Sequence, residues 1–252
     1  MILARPTRAQ FKLWKALKET KVRLREGLLL AEGSKVVREL FNSSWPVAAI
    51  LVREDKAARL RRFLAAAPPD AALYSLTARE WDQISQDKNP EGIMAVAALP
   101  GRDVQAWPET GHIVLAFRIS NPNNLGALIR TAHWFGFGAI ALSSDSVDFT
   151  NPKVVRTSMG SLFHLTVVPD LDFAILLPAL KKRFLLIAGD AKRGKTPHPC
   201  ARPAALLLGS ESYGLPEELL ELAEERWRIP GTGGAESLSL PQAAAIMMYA
   251  MV

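Results

Sequence analysis

The chain has 252 residues, 49% hydrophobic and 22% charged, with a formal net charge of +6. This is globular composition with enough apolar residues for two modest domains, and it excludes a disordered or low-complexity protein. No long apolar run is free of charges, and the basic start MILARPTRAQFK leads into no apolar segment with a cleavage site, so neither a membrane span nor a signal peptide is expected.

In chain order, TRAQFKLWKALKET reads as a basic amphipathic helix. GLLLAEG is a strand, and SKVVRELFNSS is a helix with Ser34 at its N-cap. VAAILVRED is a strand, KAARLRRFLAAA a helix and ALYSL a strand. TAREWDQIS is a helix whose Thr77 and Glu80 have capping-box spacing. NPEGIMAVAAL closes a small α/β domain as a strand. Pro100–Gly111, with proline near both ends and no periodicity, reads as a linker. The chain then alternates again. Strands are HIVLAFRI, AIALSS, LTVVP, FLLIAGD and AALLLG. Helices are NLGALIRTAHWFG, PKVVRTSMGSLF, FAILLPALKKR, PEELLELAEE and PQAAAIMMYAMV. Apolar strands between helices predict an α/β fold with a mostly parallel sheet, whose ligands sit beyond the carboxyl ends of the strands.

The charge is unevenly placed. Residues 1–104 carry eighteen basic and twelve acidic side chains, whereas residues 105–252 carry thirteen of each. A basic module attached to a neutral one suggests a polyanion partner for the first, against the plainer reading of solvated surface charge. Arg5, Arg8, Lys12, Lys15, Arg23 and Lys35 are the candidate contacts. Cys200 is the only cysteine, so no internal disulfide and no cysteine-built metal site is expected, which fits a reducing cytoplasm. His112, His133, His164 and His198 lack metal-ligand spacing, and His133, among helix formers, reads as structural.

GDAKRGKT, from Gly189 to Thr196, satisfies the pattern of a phosphate-binding loop and follows a strand. Such a loop works because a helix begins at its end and aims N–H groups at the phosphates. Here PHPCARP follows, and its three prolines cannot supply that helix. An exposed basic loop is the better reading, with RNA contact by Lys192, Arg193 and Lys195 as the lesser one.

Three other segments carry stronger signals. In NPNNLGALIRTAHWFG, Asn124 and Gly126 stand where a strand hands over to a helix. Arg130 lies six residues after Asn124 and shares that end of the sheet if its side chain reaches back toward the helix N-terminus. In LLLGSESYGLP, an apolar strand ends at Gly209, before Glu211 and Gly214. In IPGTGGAESLSLPQAAAIM, a glycine and serine loop precedes an apolar helix. Singly, each has a plain reading: Asn124 or Ser237 as a helix cap, Arg130 as a surface pair, Glu211 as a turn residue.

Together and in this order they resemble the SpoU (TrmH-like) family of RNA ribose 2′-O-methyltransferases. Asn124, Gly126, Arg130, Thr131 and Ala132 match its first motif. Gly209, Glu211, Gly214 and Leu215 match its second. Ile229 and Pro230, then Ser237 and Leu238, match its third, and NPKVVRTSMGSLFHL is similar to the family's middle segment. LLLAEGSKVVREL and DKNPEGIMAVA resemble the L30e-like substrate-binding domain of ribosomal-RNA members. Three positions depart from the family pattern: Asn121 stands for its aspartate, Ser239 for its asparagine and Pro241 for its last serine.

The resemblance implies an RNA-binding domain over residues 1–104. It implies an α/β-knot (SPOUT) catalytic domain over residues 105–252, with a C-terminal trefoil knot, working as a homodimer. It implies S-adenosylmethionine as cofactor, held by Leu208, Gly209, Gly214, Ile229, Pro230 and Leu238. The implied reaction is methylation of a ribose 2′-hydroxyl, in ribosomal (23S) RNA more than in transfer RNA. The implied catalytic set is Asn124, Arg130, Glu211, Ser237 and Ser239. Guanidinium stays protonated in proteins, so Arg130 reads as a phosphate clamp that lowers the hydroxyl's pKa, not as a free base. Asn124 would orient substrate or arginine, and Glu211 would hold the loop or pair with Arg130. The alternative is an RNA-binding or ribosome-associated protein on the same scaffold with weakened or lost transfer activity.

Overall fold

The computed structural model describes residues 3–100, 107, 108 and 111–252. The linker expected over Pro100–Gly111 lies largely outside these residues. The chain forms two compact units, Met1–Gly101 with Thr150–Phe163, and Arg102–Phe149 with His164–Val252.

The first unit runs α1 (Arg8–Ala16), α2 (Thr20–Glu26), β1 (Leu28–Glu32), α3 (Ser34–Phe41), β2 (Val47–Arg53), α4 (Ala57–Leu64), β3 (Ala72–Leu76), α5 (Ala78–Ile84) and β4 (Ile93–Ala98). Its sheet has the order β1-β4-β2-β3; β4 is antiparallel to both neighbours and β2 parallel to β3. Reciprocal capping starts two helices. The Gln10 N–H donates to the Thr7 hydroxyl at 3.2 Å and the Thr7 N–H to the Gln10 amide oxygen at 2.9 Å. Thr77 and Glu80 do the same at α5, as their spacing predicts. The expected cap at Ser34 shifts by one residue. Gly33, at φ 98°, takes that place, and the Ser34 N–H donates to Glu91 at 3.1 Å. The core is built on Trp14, Leu51, Leu76, Trp81, Met94 and Val96. Burying each such side chain contributes about 1.5–3 kcal/mol.

The segment after residue 149 belongs by packing to this first unit. The continuous helix expected over PKVVRTSMGSLF is only α7 (Pro152–Thr157), followed by a 3-10 turn at Ser161–His164. Met159 and Gly160 break it, with φ of 53° and 93°. Trp45 meets the Phe163 ring edge-on at 5.2 Å. Arg23, 1% exposed, donates from Nε to the Thr150 hydroxyl at 2.9 Å and from Nη1 to the carbonyls of Leu17 and Lys18. The expectation of RNA contact at Arg23 is therefore overturned: its donors are spent inside the fold and it does not reach solvent.

The second unit runs β5 (Ile113–Ala116), α6 (Pro122–Trp134), β6 (Ala139–Ser143), β7 (Thr166–Leu171), α8 (Phe173–Leu180), β8 (Leu185–Gly189), β9 (Ala204–Leu208), α9 (Glu217–Leu222), β10 (Glu225–Trp227) and α10 (Leu240–Met251). The sheet order is β10-β8-β9-β5-β6-β7, and every pairing is parallel. Ile113, Leu115, Ala205 and Leu207 pack with α8 and α9 on one face. α10 packs against α6 and β9, burying Leu240, Ala244, Met247 and Met248. From β5 the chain steps to β6 and β7 on one side, then crosses to build β8, β9 and β10 on the other. The order reverses between β5 and β9, and open α/β sheets bind ligands at the carboxyl ends of the strands at such a switch point, in the crevice it leaves.

Candidate active site

β5 is shorter than the strand read from HIVLAFRI. Arg118 adopts φ 53°, its N–H donates to the Ser143 hydroxyl at 2.8 Å, and its guanidinium pairs with Asp145 at 3.0 Å. This turn ends the strand and aims the chain at α6. The Asn121 side chain caps α6 by accepting from the Asn123 N–H at 2.9 Å, and Pro122 opens the helix without losing a bonded N–H. Asn121 thus supplies the oxygen acceptor that an aspartate would supply.

The adjacent strand β9 ends at Leu208, whose carbonyl accepts from the Phe117 N–H at 2.8 Å. The chain then folds sharply back. The Gly214 N–H donates to the Ser210 carbonyl at 2.9 Å, the Tyr213 N–H donates to the Ser210 hydroxyl at 3.2 Å, and Gly214 takes φ 67°. Gly209 is required by close approach. A Cβ there would overlap the Gly214 carbonyl and lie 2.5 Å from the Leu215 nitrogen. The turn aims Glu211 at α6, where Oε1 accepts from Asn124 Nδ2 at 2.5 Å. Two segments 87 positions apart are joined at the switch point.

Of the two roles expected for Glu211, holding its loop or pairing with Arg130, the pairing does not form. The Glu211 carboxylate holds Asn124 instead, because Asn124 lies in the first turn of α6 and Arg130 nearly two turns further on. Arg130 is exposed and makes no ion pair or hydrogen bond among the described residues. Its guanidinium fork is open to an anion from solution.

The third segment leaves β10 through the half-buried Ile229 and runs exposed from Pro230 to Ser239. Ser237 is exposed, and Leu238 is 45% exposed. Among the described residues, the N–H groups of 231–238 donate no hydrogen bond within the chain. Ser239 caps α10, its hydroxyl donating to Gln242 Oε1 at 3.0 Å. Leu240 is the first helical residue and Pro241 the second, so the helix begins one residue earlier than the sequence predicts. Serine and asparagine are equally good N-caps, so the structural task at 239 is met by either. An adenosine-like cofactor needs a flat apolar wall and free backbone donors. The uncovered Leu238, the half-buried Ile229 and the unspent amides between them fit that need.

The phosphate-loop match fails in the structure as it does in the sequence. No helix follows Thr196. The Asp190 carboxylate accepts from the N–H groups of Lys192 at 2.7 Å and Arg193 at 3.4 Å, donors a phosphate would need. Gly194 is explained by packing, since a Cβ would lie 2.6 Å from the Arg226 carbonyl oxygen. The Lys195 N–H donates to that same oxygen at 2.8 Å, and Lys195 bridges to β10.

Of the basic candidates, Arg8, Lys12 and Lys15 recur at helical spacing on the exposed side of α1, and Lys35 is exposed in the first turn of α3. Arg5 is tied to Glu54 at 2.5 Å and Glu80 at 2.9 Å. Sequence reasoning missed Arg118, which sits beside the site. It read as one more strand residue, and nothing local announces its left-handed backbone.

Comparison with known proteins agrees with this geometry. Residues 111–249 match the SpoU rRNA Methylase family, and residues 8–95 match the MRM3-like substrate binding domain. The chain is 30% identical over 239 residues to the 23S rRNA (guanosine(2553)-2′-O)-methyltransferase RlmP of Bacillus subtilis, covering 94% of this chain and 93% of the relative. A 23S rRNA (uridine(2479)-2′-O)-methyltransferase of Streptomyces viridochromogenes is 27% identical over 97% of this chain and 89% of its own length. Among solved structures, a putative RNA methyltransferase of the TrmH family from Porphyromonas gingivalis superposes with a TM-score of 0.82, 30% identity and 98% coverage of both chains. The SpoU methyltransferase AviRb from Streptomyces viridochromogenes, in complex with AdoMet, gives 0.83, 25% and 96% of both. With three ordered motifs gathered at one end of a parallel sheet and a family match over more than half its length, this chain belongs to the SpoU rRNA methylase family.

Proposed function

We infer that this chain methylates a ribose 2′-hydroxyl in ribosomal RNA, with the first unit holding the RNA and the β5–β9 crevice holding the reacting groups. Family membership makes it an S-adenosylmethionine-dependent RNA 2′-O-methyltransferase. The observation that carries the site assignment is the Asn124–Glu211 hydrogen bond, which joins two motifs distant in sequence at the switch point of the sheet.

The cofactor, when bound, supplies a methyl group on a positively charged sulfur. Leu208, Gly209, Gly214, Ile229, Pro230 and Leu238 hold it through apolar contact and backbone donors. Glu211 keeps its turn closed through Asn124, so the wall of the crevice is rigid before RNA arrives. Arg130 clamps the phosphate next to the target ribose with its free fork, and its charge favours the ionised hydroxyl. Ser237, in the exposed segment after β10, and Ser239, the N-cap of α10, complete the catalytic set in this reading. Arg8, Lys12, Lys15 and Lys35 supply phosphate contacts in the first unit, where the basic excess of the sequence lies.

A second copy completes the assembly in this reading. Trp134 on α6 is 83% and Tyr249 on the neighbouring α10 72% exposed, with Ile246 on α10 and Val252 just past its end also uncovered. Such an apolar face suits a homodimer. The trefoil knot belongs to the same reading. Its support is the β8–β9 connection, where Cys200 N–H donates to the Met251 carbonyl at 3.2 Å and Lys195 pairs beside β10. No described helix is long and apolar enough to cross a membrane, and ribosomal RNA as substrate fits the cytoplasm.

The test is transfer of labelled methyl from S-adenosylmethionine to deproteinised ribosomal RNA, with 2′-O-methyl sites mapped with and without the protein. Calorimetry with the cofactor runs in parallel. Cofactor binding and one new methylated ribose are expected. RNA binding without transfer would favour the non-catalytic scaffold reading.

A further inference from the structure

The proposed RNA contacts on α1 and at Lys35 leave unused a cleft of about 620 Å³ in the first unit, lined by Arg38, Phe41, Asn42, Arg62, Phe63 and Ala66. It lies between the last turns of α3 and α4. Phe41 and Phe63 meet with ring centroids 5.7 Å apart, and both are partly exposed. The Arg38 guanidinium lies 5.3 Å from the Phe63 ring centroid. Lys35 and Arg38 succeed each other at helical spacing along α3, with Asn42 at its C-cap, as Arg59 and Arg62 do along α4, with Ala66 just past its end, and all six are exposed. Among the described residues, none of Lys35, Arg38, Arg59 and Arg62 makes an ion pair.

Exposed aromatic faces, a planar cation and unspent basic rows make one recognisable combination. A polyphosphate would use the charges and leave the rings idle. An acidic peptide would do the same. An unstacked base uses both, with its face on Phe63 and its flanking phosphates on the basic rows. Asn42 adds an amide that can both donate to and accept from a base edge. We propose that the α3–α4 cleft is a nucleotide subsite for single-stranded RNA, in which Phe63 and Arg38 stack an unpaired base and Lys35, Arg59 and Arg62 hold the neighbouring phosphates. This rests on the reading that the first unit binds RNA.

The test uses the full chain and a fluorescein-labelled single-stranded RNA dodecamer bearing one 4-thiouridine, in anisotropy titrations at several salt concentrations. Irradiation should crosslink the RNA within residues 38–66. Arg38→Ala with Arg62→Ala, both exposed, should weaken binding and reduce the salt slope by about two. Phe63→Leu, which keeps apolar bulk, should weaken binding by about fivefold or more with the slope unchanged. The same variant should bind inorganic polyphosphate as the parent does. Thermal unfolding of each variant guards against loss of fold. If Lys12→Ala with Lys15→Ala lowers affinity while the cleft variants stay within about twofold and no cleft crosslink forms, the subsite is overturned and the RNA-binding reading stands. If the parent chain binds no RNA at physiological salt, both fall.

Discussion

Replacing Gly209 by alanine probes the join between β9 and the turn that carries Glu211. The new Cβ would overlap the Gly214 carbonyl and lie 2.5 Å from the Leu215 nitrogen, where ordinary contact begins at 3.4 Å. Those atoms are backbone, so the whole turn must retreat by about 1 Å, and overpacking of this kind costs about 1–3 kcal/mol. For a chain of this size that lowers Tm by about 2–4 °C for each kcal/mol. The retreat also withdraws Glu211 from Asn124, so cofactor affinity should fall by about tenfold or more. Two other glycines calibrate the result. Gly214 has open space around a Cβ but φ 67°, so its alanine variant carries backbone strain of about 1 kcal/mol and no clash. Gly233 has neither constraint, and its variant should match the parent within about 0.5 kcal/mol. Differential scanning fluorimetry and calorimetry with S-adenosylmethionine measure all three. If Gly209→Ala unfolds and binds like Gly233→Ala, the argument from close approach is wrong.

Further outcomes follow from the same geometry. Asn124→Ala and Glu211→Ala should each lower cofactor affinity, and a double-mutant cycle should give a coupling of about 1 kcal/mol; additive effects would separate the two residues. Arg130→Lys keeps the charge but loses the fork, so methyl transfer should drop while cofactor binding by calorimetry is unchanged; full transfer would refute a bidentate clamp. Arg23→Ala strips hydrogen bonds from buried partners and should destabilise by about 3 kcal/mol or more in urea unfolding, an effect far beyond that of any exposed arginine in the first unit. The Glu225 carboxyl is held below its ordinary value of 4.5, first by the Trp227 indole N–H at 2.8 Å and then by His198 and Lys195, against burial, which raises it. Because the folded value is the lower one, its stabilisation is present above 4.5 and is lost as pH falls through the folded value. Glu225→Gln should therefore cost about 1 kcal/mol at neutral pH, with the gap to the parent closing on acidification; a gap independent of pH would contradict this.

Residues 1–104 make a poor deletion even though the basic excess lies there. Val154, Val155, Leu162 and Phe163 belong to the same packed unit, and removing residues 1–104 would take away the elements packed with them. Point substitutions on α1 and α3 test RNA binding without that exposure.

Much of this molecule is written locally. Alternation of apolar strands and helices predicts the α/β class, because burial on both faces of a parallel sheet leaves unbroken apolar runs such as AALLL in β9. Capping boxes at Thr7 and Thr77 mark helix starts because the bonding groups lie within one turn. The motif residues Asn124, Arg130, Glu211 and Ser237 are legible as candidates, since each follows a strand or opens a helix. What the sequence leaves open is every choice between partners distant along the chain. β10 is three residues with two charges and exists as a strand because β8 pairs with it. Arg23 looks like any basic helix residue until Thr150, 127 positions away, accepts a hydrogen bond from its Nε–H. Glu211 could serve Arg130 or its own turn, and it serves Asn124 because β5 and β9 lie side by side. Periodicity and caps report the backbone over a few residues. Strand order, burial and the partner of a polar side chain depend on which distant surfaces meet, and that was settled only when the chain closed on itself.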